Sequence, residues 1–213
     1  MKKVKLFFVL MGSVLMLSSC GSDGPKSNEI KIGDQTWMTK NLNVDKFQNG
    51  DPIPHAETAE AWKQAGKNGQ PAWCYYDNDP ANEKKYGKLY NWHAVNDPRG
   101  LAPEGWSVAS DEDWTKLADF LGGLEIAGKE MKSSRGWDDG GNGTNSSGFY
   151  ALPGGGRSFN SSFNHIGKRA IWWSTTENDS KSGWGRGMDY LDDSILRLYF
   201  NKTGGYSVRC IKE

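Results

Sequence analysis

Ten tryptophans run from Trp37 to Trp184 in a chain that is poor in leucine and isoleucine, and this constrains the fold more than any other feature. A tryptophan contributes a large apolar surface but carries one ring N–H that needs an acceptor wherever it is buried. A core built on such rings calls for short elements and many turns, and 27 glycines supply the turns. Trp37, Trp92, Trp106 and Trp114 stand in periodic or strand-like context and read as core. Trp137 and Trp184 lie among glycines and polar residues, where exposure is an even alternative. The adjacent Trp172 and Trp173 of "AIWWSTTEN" must point to opposite faces of a strand. The expectation is that one is buried and the other lines a surface depression.

Two helices are legible. In "SDEDWTKLADFLGG", Ser110 is an N-cap with Asp113 three residues on; Trp114, Leu117 and Leu121 follow at helical spacing until Gly122. "HAETAEAWKQAGK" reads as a shorter helix around Trp62, closed by Gly66, and "YGKLYNWHAV" as a further helical turn. Strands are expected in "EIKIGDQTWMTKNL", "RAIWWST", "ILRLYF" and "GYSVRCIKE". In the last of these, Tyr206, Val208 and Cys210 share one face and Ser207 and Arg209 the other. "LPGGGRS" lacks the residues of a phosphate loop and reads as a turn where backbones approach closely. The fold class is therefore α+β, a single loop-rich domain with two main helices and short antiparallel strands.

The N-terminus places the protein. Lys2, Lys3 and Lys5 precede an apolar run from Leu6 to Leu17, the pattern of a secretory signal and too short for a comfortable membrane span. "LSSC" resembles the lipobox of bacterial lipoproteins, which implies cleavage after residue 19 and lipid on Cys20. Residues 20–29 then form a flexible tether and 30–213 the domain, anchored to the outer membrane on its periplasmic or cell-surface side. Without residues 1–19 the chain holds 23 basic residues against 26 acidic ones. No basic stripe is present, which argues against a nucleic-acid partner.

The segments "IGDQTWMTKNLNV", "WCYYDNDPAN", "YGKLYNWHAV", "LAPEGWSVASDEDWTKL", "SSGFYALPGGGRS", "WWSTTE" and "SVRC" together resemble, in order, the Fibrobacter succinogenes major paralogous domain found in Bacteroidetes lipoproteins. The resemblance implies a fold like that of C-type lectins and formylglycine-generating enzymes: a looped double hairpin, flanking helices and a last strand ending in a cysteine. Neither the sugar-binding tripeptides of the lectin calcium site nor the reactive cysteine pair of those enzymes is present.

Several residues are candidates for chemistry. Cys74 and Cys210, an even pair in an exported chain, are expected to form a disulfide. Asp77, Asp79, Asp138, Asp139 and Glu177 are candidate ligands of a structural calcium ion, against the alternative that such loops are turn formers. Ser194 in "DSI" fits a loose glycosylation tripeptide. His55, His93 and His165 have no nucleophile or metal motif around them, so no cofactor and no catalytic group is assigned. Trp137, Trp172, Trp173, Trp184 and Arg186 are the candidate ligand-binding residues, aromatic faces with a polar partner. The leading expectation is a monomeric, non-catalytic, lipid-anchored binding module for a glycan or another envelope component. The rival is a subunit of a fimbria-like surface complex, recognisable by an open strand edge. An envelope hydrolase is the third reading and needs two acids converging in a pocket.

Overall fold

The computed structural model describes residues 24, 25 and 27–213; the signal segment and Cys20 lie outside them. Strands β1 (Glu29–Ile32) and β2 (Gln35–Met38) form a hairpin, and β11 (Cys210–Lys212) pairs with β2 on one side and with β5 (Trp106–Val108) on the other. A second sheet runs β10 (Leu196–Asn201), β9 (Ser182–Asp189), β8 (Arg169–Asp179), β6 (Gly154–Arg157), β7 (Phe163–Ile166). Its pairings are antiparallel except β6 with β8. A small ribbon joins β3 (Trp73–Cys74) to β4 (Leu89–Tyr90). The tether is shorter than expected: Asn28 already accepts from Thr39 N–H at 3.0 Å and β1 begins at Glu29, so the chain is pinned before residue 30.

Helix α1 (Ala59–Lys67) is capped by Thr58 and ends at Asn68, with Gly66 inside it. Between it and the next long helix come two single-turn helices, α2 (Glu83–Tyr86) and α3 (Trp92–Val95). Helix α4 (Asp111–Phe120) carries the capping box anticipated at Ser110 and Asp113. Helix α5 (Leu124–Met131) makes a third helix of eight or more residues where two were expected. "GGGR" is not a turn but the buried strand β6. Close approach is nevertheless its reason for glycine: at Gly155, with φ +61°, a Cβ would lie 2.4 Å from Asn164 O.

The core divides in two around β8. Trp172 is fully buried with Trp37, Trp114, Leu117, Met131 and Phe149, beneath α4 and α5. Trp173 is equally buried on the opposite face, with Trp73, Tyr90, Trp92, Val208 and Cys210. The strand alternation holds, but both faces are covered, so neither ring lines a depression. A third cluster packs α1 through Trp62 against Cys74, Tyr76 and Leu89. Eight tryptophans are buried, and seven of their ring N–H groups find acceptors; Trp114 alone among them has none.

Cys74 and Cys210 are free, buried thiols in different clusters, not a disulfide. Burial pushes their pKa values up to about 11 and about 12 and holds both as unreactive thiols. In the chain lacking its first twenty residues, Ellman's reagent should therefore detect no thiol in native buffer and two in denaturant. A bridged pair would give none in either.

Candidate ligand-binding surface

The outer edge of the second sheet carries the one exposed aromatic group that survives from the predicted set. In the antiparallel register, Trp184 faces Tyr199 and Arg186 faces Arg197, so all four stand on the same side of β9 and β10. Toward the centre of the sheet this face is roofed by α4, and Arg186 is fully buried there. Toward the edge it is open: Trp184 is half-buried and Tyr199 is 65% exposed. Tyr199 meets Trp184 edge-on, with ring centroids 5.9 Å apart at 88°. The Arg197 guanidinium lies over Trp184, 3.3 Å from the ring centroid.

Asp111, the first residue of α4, sets the electrostatics. It forms an ion pair with Nη1 of buried Arg186, while its other oxygen accepts from Nε of Arg197 at 2.9 Å. Arg186 also donates to the Asp111 carbonyl at 3.1 Å and to Thr115 Oγ1 at 2.9 Å, while its buried Nε–H has no partner among the described residues. Burial draws its pKa down and the Asp111 contact opposes this. Two guanidinium groups thus share one carboxylate, which leaves one net positive charge. The Nη groups of Arg197 make no hydrogen bond among the described residues, so that charge is presented beside the aromatic pair.

The other predicted residues fall elsewhere. Trp137 is buried in the first cluster, its Nε1–H on Ala151 O at 3.1 Å and its ring under Lys132. Arg186 is a structural cation, not a ligand contact. The calcium candidates do not converge: among the described residues no group of three His, Cys, Asp or Glu could hold a metal ion. Asp77 and Asp139 occupy left-handed turns at φ 56° and 48°, a conformation Asp tolerates. Asp79 accepts from Ala81 N–H at 2.9 Å, Asp138 sits against Gly167, and Glu177 pairs with Lys202. Ser194 is buried and its hydroxyl donates to Asp192 at 2.6 Å, so it is not offered for modification.

One half-buried tryptophan escaped the sequence reading. Trp106 separates depressions of about 530 Å³ and about 320 Å³. The first contains Asp97 and Asp113, but Arg99 Nε holds Asp97 at 2.8 Å and Ser110 occupies Asp113 at 2.6 Å. The turn at Pro103–Trp106, with Gly105 at φ +78°, was the available hint that this ring starts an edge strand. Burial lowers the pKa of all three histidines, so they are neutral near pH 7. His55 stacks on Trp73 at 3.8 Å.

No curated protein and no solved structure matches the chain. The family model for the Fibrobacter succinogenes major domain matches residues 30–212, which takes in every strand from β2 onward and all five helices, and the chain belongs to that family.

Proposed function

We propose that the protein is a non-catalytic binding module, held to the cell envelope by lipid on Cys20, whose ligand is a glycan seated on Trp184, Tyr199 and Arg197. What carries this reading is the Arg197 guanidinium, stacked on a tryptophan beside a 65% exposed tyrosine with its Nη donors unused. Aromatic faces take the apolar faces of sugar rings, and an Arg fork suits a carboxylate or paired hydroxyls. The net positive charge favours an acidic sugar. A lectin-like architecture is compatible with this reading in one respect: β11 pairs with β2 of the N-terminal hairpin, so the two ends of the domain share one sheet as a looped fold requires.

The test is a glycan array with the chain lacking its first twenty residues, followed by titration of the best binder. Trp184→Ala and Arg197→Ala should each weaken binding at least about ten-fold, equivalent to roughly 1.4 kcal/mol, without moving the urea midpoint appreciably. A folded domain that binds no acidic or neutral glycan would refute the proposal. One observation favours the assembly reading as well. β10 is an edge strand of six residues with Leu196, Leu198 and Tyr199 exposed, a ready template for a partner strand. Cross-linking on whole cells that captures a partner through β10, together with a blank array, would move the assignment there.

A further inference from the structure

A second site, which shares no lining residue with the Trp184 surface, is centred on Arg209. This side chain is 1% exposed. Its Nη1 donates to Met38 O at 2.8 Å and Phe149 O at 2.7 Å, while Nε and Nη2 share Asn41 Oδ1 at 3.3 and 3.1 Å. Those bonds engage four of its five N–H groups, and every acceptor is neutral. Of the other buried cations, Arg186, Lys202 and Lys88 have a carboxylate partner, with Asp111, Glu177 and Glu83 respectively, while Arg157 and Lys132 are held by backbone carbonyls. Arg209 has no carboxylate within ion-pair distance among the described residues. A buried charge left without an opposite charge is a standing cost to the fold. Here that charge also lines a cavity of about 470 Å³.

The charged groups of the cavity are mostly basic. Lys40, Lys84 and Lys85 line it, all exposed, and none has a carboxylate partner among the described residues. The one acid in its lining, Glu83, is already held by Lys88 at 3.1 Å and Asn43 at 3.0 Å. Four cations therefore face one carboxylate that is spoken for, in a chain that holds as many acidic as basic residues, 26 of each. Tyr150, on the wall, has the left-handed backbone of φ 59°, unusual for an aromatic residue; backbone strain of this kind gathers at ligand sites.

We propose that this cavity binds a phosphate group, with Arg209 at its floor and the three lysines at its rim. Arg supplies fixed planar donors and lysines supply mobile point charges, a pairing suited to a tetrahedral anion. Two sources of phosphate are chemically equivalent here: the headgroup of an anionic lipid and a soluble phosphate. Geometry brings the first within reach. Gly24 and Pro25 form part of the cavity wall. At about 3.3–3.6 Å per residue, the four steps from Cys20 to Gly24 span at most about 14 Å. A lipid on Cys20, which this point alone takes from the proposed anchoring, would hold the basic face at the bilayer surface.

Among the described residues every strand, helix and core cluster lies between Glu29 and Lys212, so the chain from residue 21 retains all of them. Its ¹⁵N spectrum would be titrated with inorganic phosphate against sodium chloride of equal ionic strength. In parallel, it would be co-sedimented with vesicles of 30% phosphatidylglycerol in phosphatidylcholine and with pure phosphatidylcholine. The expected results are saturable shifts of the Arg209 Nε–H and Asn41 side-chain amide signals, or binding to the anionic vesicles alone, or both. Phosphate shifts without vesicle binding assign a soluble ligand; vesicle binding assigns the headgroup. In the positive arm, the surface variant Lys40→Ala/Lys84→Ala/Lys85→Ala should weaken binding at least ten-fold with the urea midpoint unchanged. Arg209 itself is left intact because its removal would unmake the core contacts. The proposal is overturned if neither probe exceeds its control, or if the triple variant binds as tightly as the parent. Glycan binding at Trp184 is read separately and does not enter either outcome.

Discussion

Trp172→Ala and Trp173→Ala should each destabilise the domain by about 3–5 kcal/mol, the range for truncating a buried aromatic. Both rings are fully buried, but they fail in different places. Trp172 packs 5.6 Å from Trp114 and 5.9 Å from Phe149, and its Nε1–H donates to Asn41 at 2.8 Å. Trp173 packs 5.0 Å from Tyr206 and 5.9 Å from Phe200, with its Nε1–H on Tyr90 O. Removing either opens a cavity on one side of β8 while the other side stays packed. For a domain of this size the loss corresponds to a fall in Tm of roughly 6–20 °C. Trp184→Ala, half-exposed at the sheet edge, should cost under about 1 kcal/mol. Thermal melts of the three variants settle the matter. A near-neutral Trp172→Ala or Trp173→Ala would mean that β8 does not divide two cores as described.

The second large effect is expected from Asp111→Ala. That substitution leaves Arg186 buried with no anion beside it, a change that typically costs about 3–5 kcal/mol. The penalty should be asymmetric. Arg186→Met leaves Asp111 paired with the exposed Arg197 and should cost less. Combining Asp111→Ala with Arg186→Met removes both charges from the interior and should recover much of the loss, since a buried ion pair is often replaceable by apolar groups. Chemical denaturation of the two single variants and the double gives the coupling directly. Additive effects, or an Arg186→Met variant weaker than Asp111→Ala, would contradict the shared-carboxylate arrangement. The same acid positions Arg197 over Trp184, so Asp111→Ala should also impair the proposed glycan site.

Much of the fold was legible where local chemistry and tertiary demand agree. The Ser110–Asp113 box starts α4 as read, and the alternation of "YSVRC" places Val208 and Cys210 in one cluster. Arg209, on the other face, lies over Phe149. Sequence reading fails where burial is set by distant segments. Helix α5 was not among the expected helices; its "LEIAGKEM" follows two glycines and contains a third, and Gly128 is there because a Cβ would come within 2.3 Å of Ser194 O. Nothing local announces that loop 66 residues away. The exposure of Trp137 and the assignment of Trp172 and Trp173 were lost for the same reason: period two tells which faces differ, not whether both are covered. The acid-rich loops misled because Asp and Asn serve left-handed turns as readily as cations. The candidate site was visible only in part. Trp184 and Arg186 were named, but Tyr199 and Arg197 join them through strand register, which composition does not carry.

The position of β11 has a consequence for how the chain is made. β11 sits between β2 and β5, so the first sheet has no centre until Cys210–Lys212 has arrived. Arg209, which ties Met38 to Phe149, arrives with it. Synthesis at roughly 5–20 residues per second leaves the N-terminal hairpin waiting for its neighbour for several seconds at least. Contacts this remote in sequence also close slowly once both ends are present. For a chain that leaves the cytoplasm unfolded, as the lipoprotein reading requires, that delay is useful: no intermediate of synthesis can complete the domain, and the polypeptide stays threadable until its last strand has crossed.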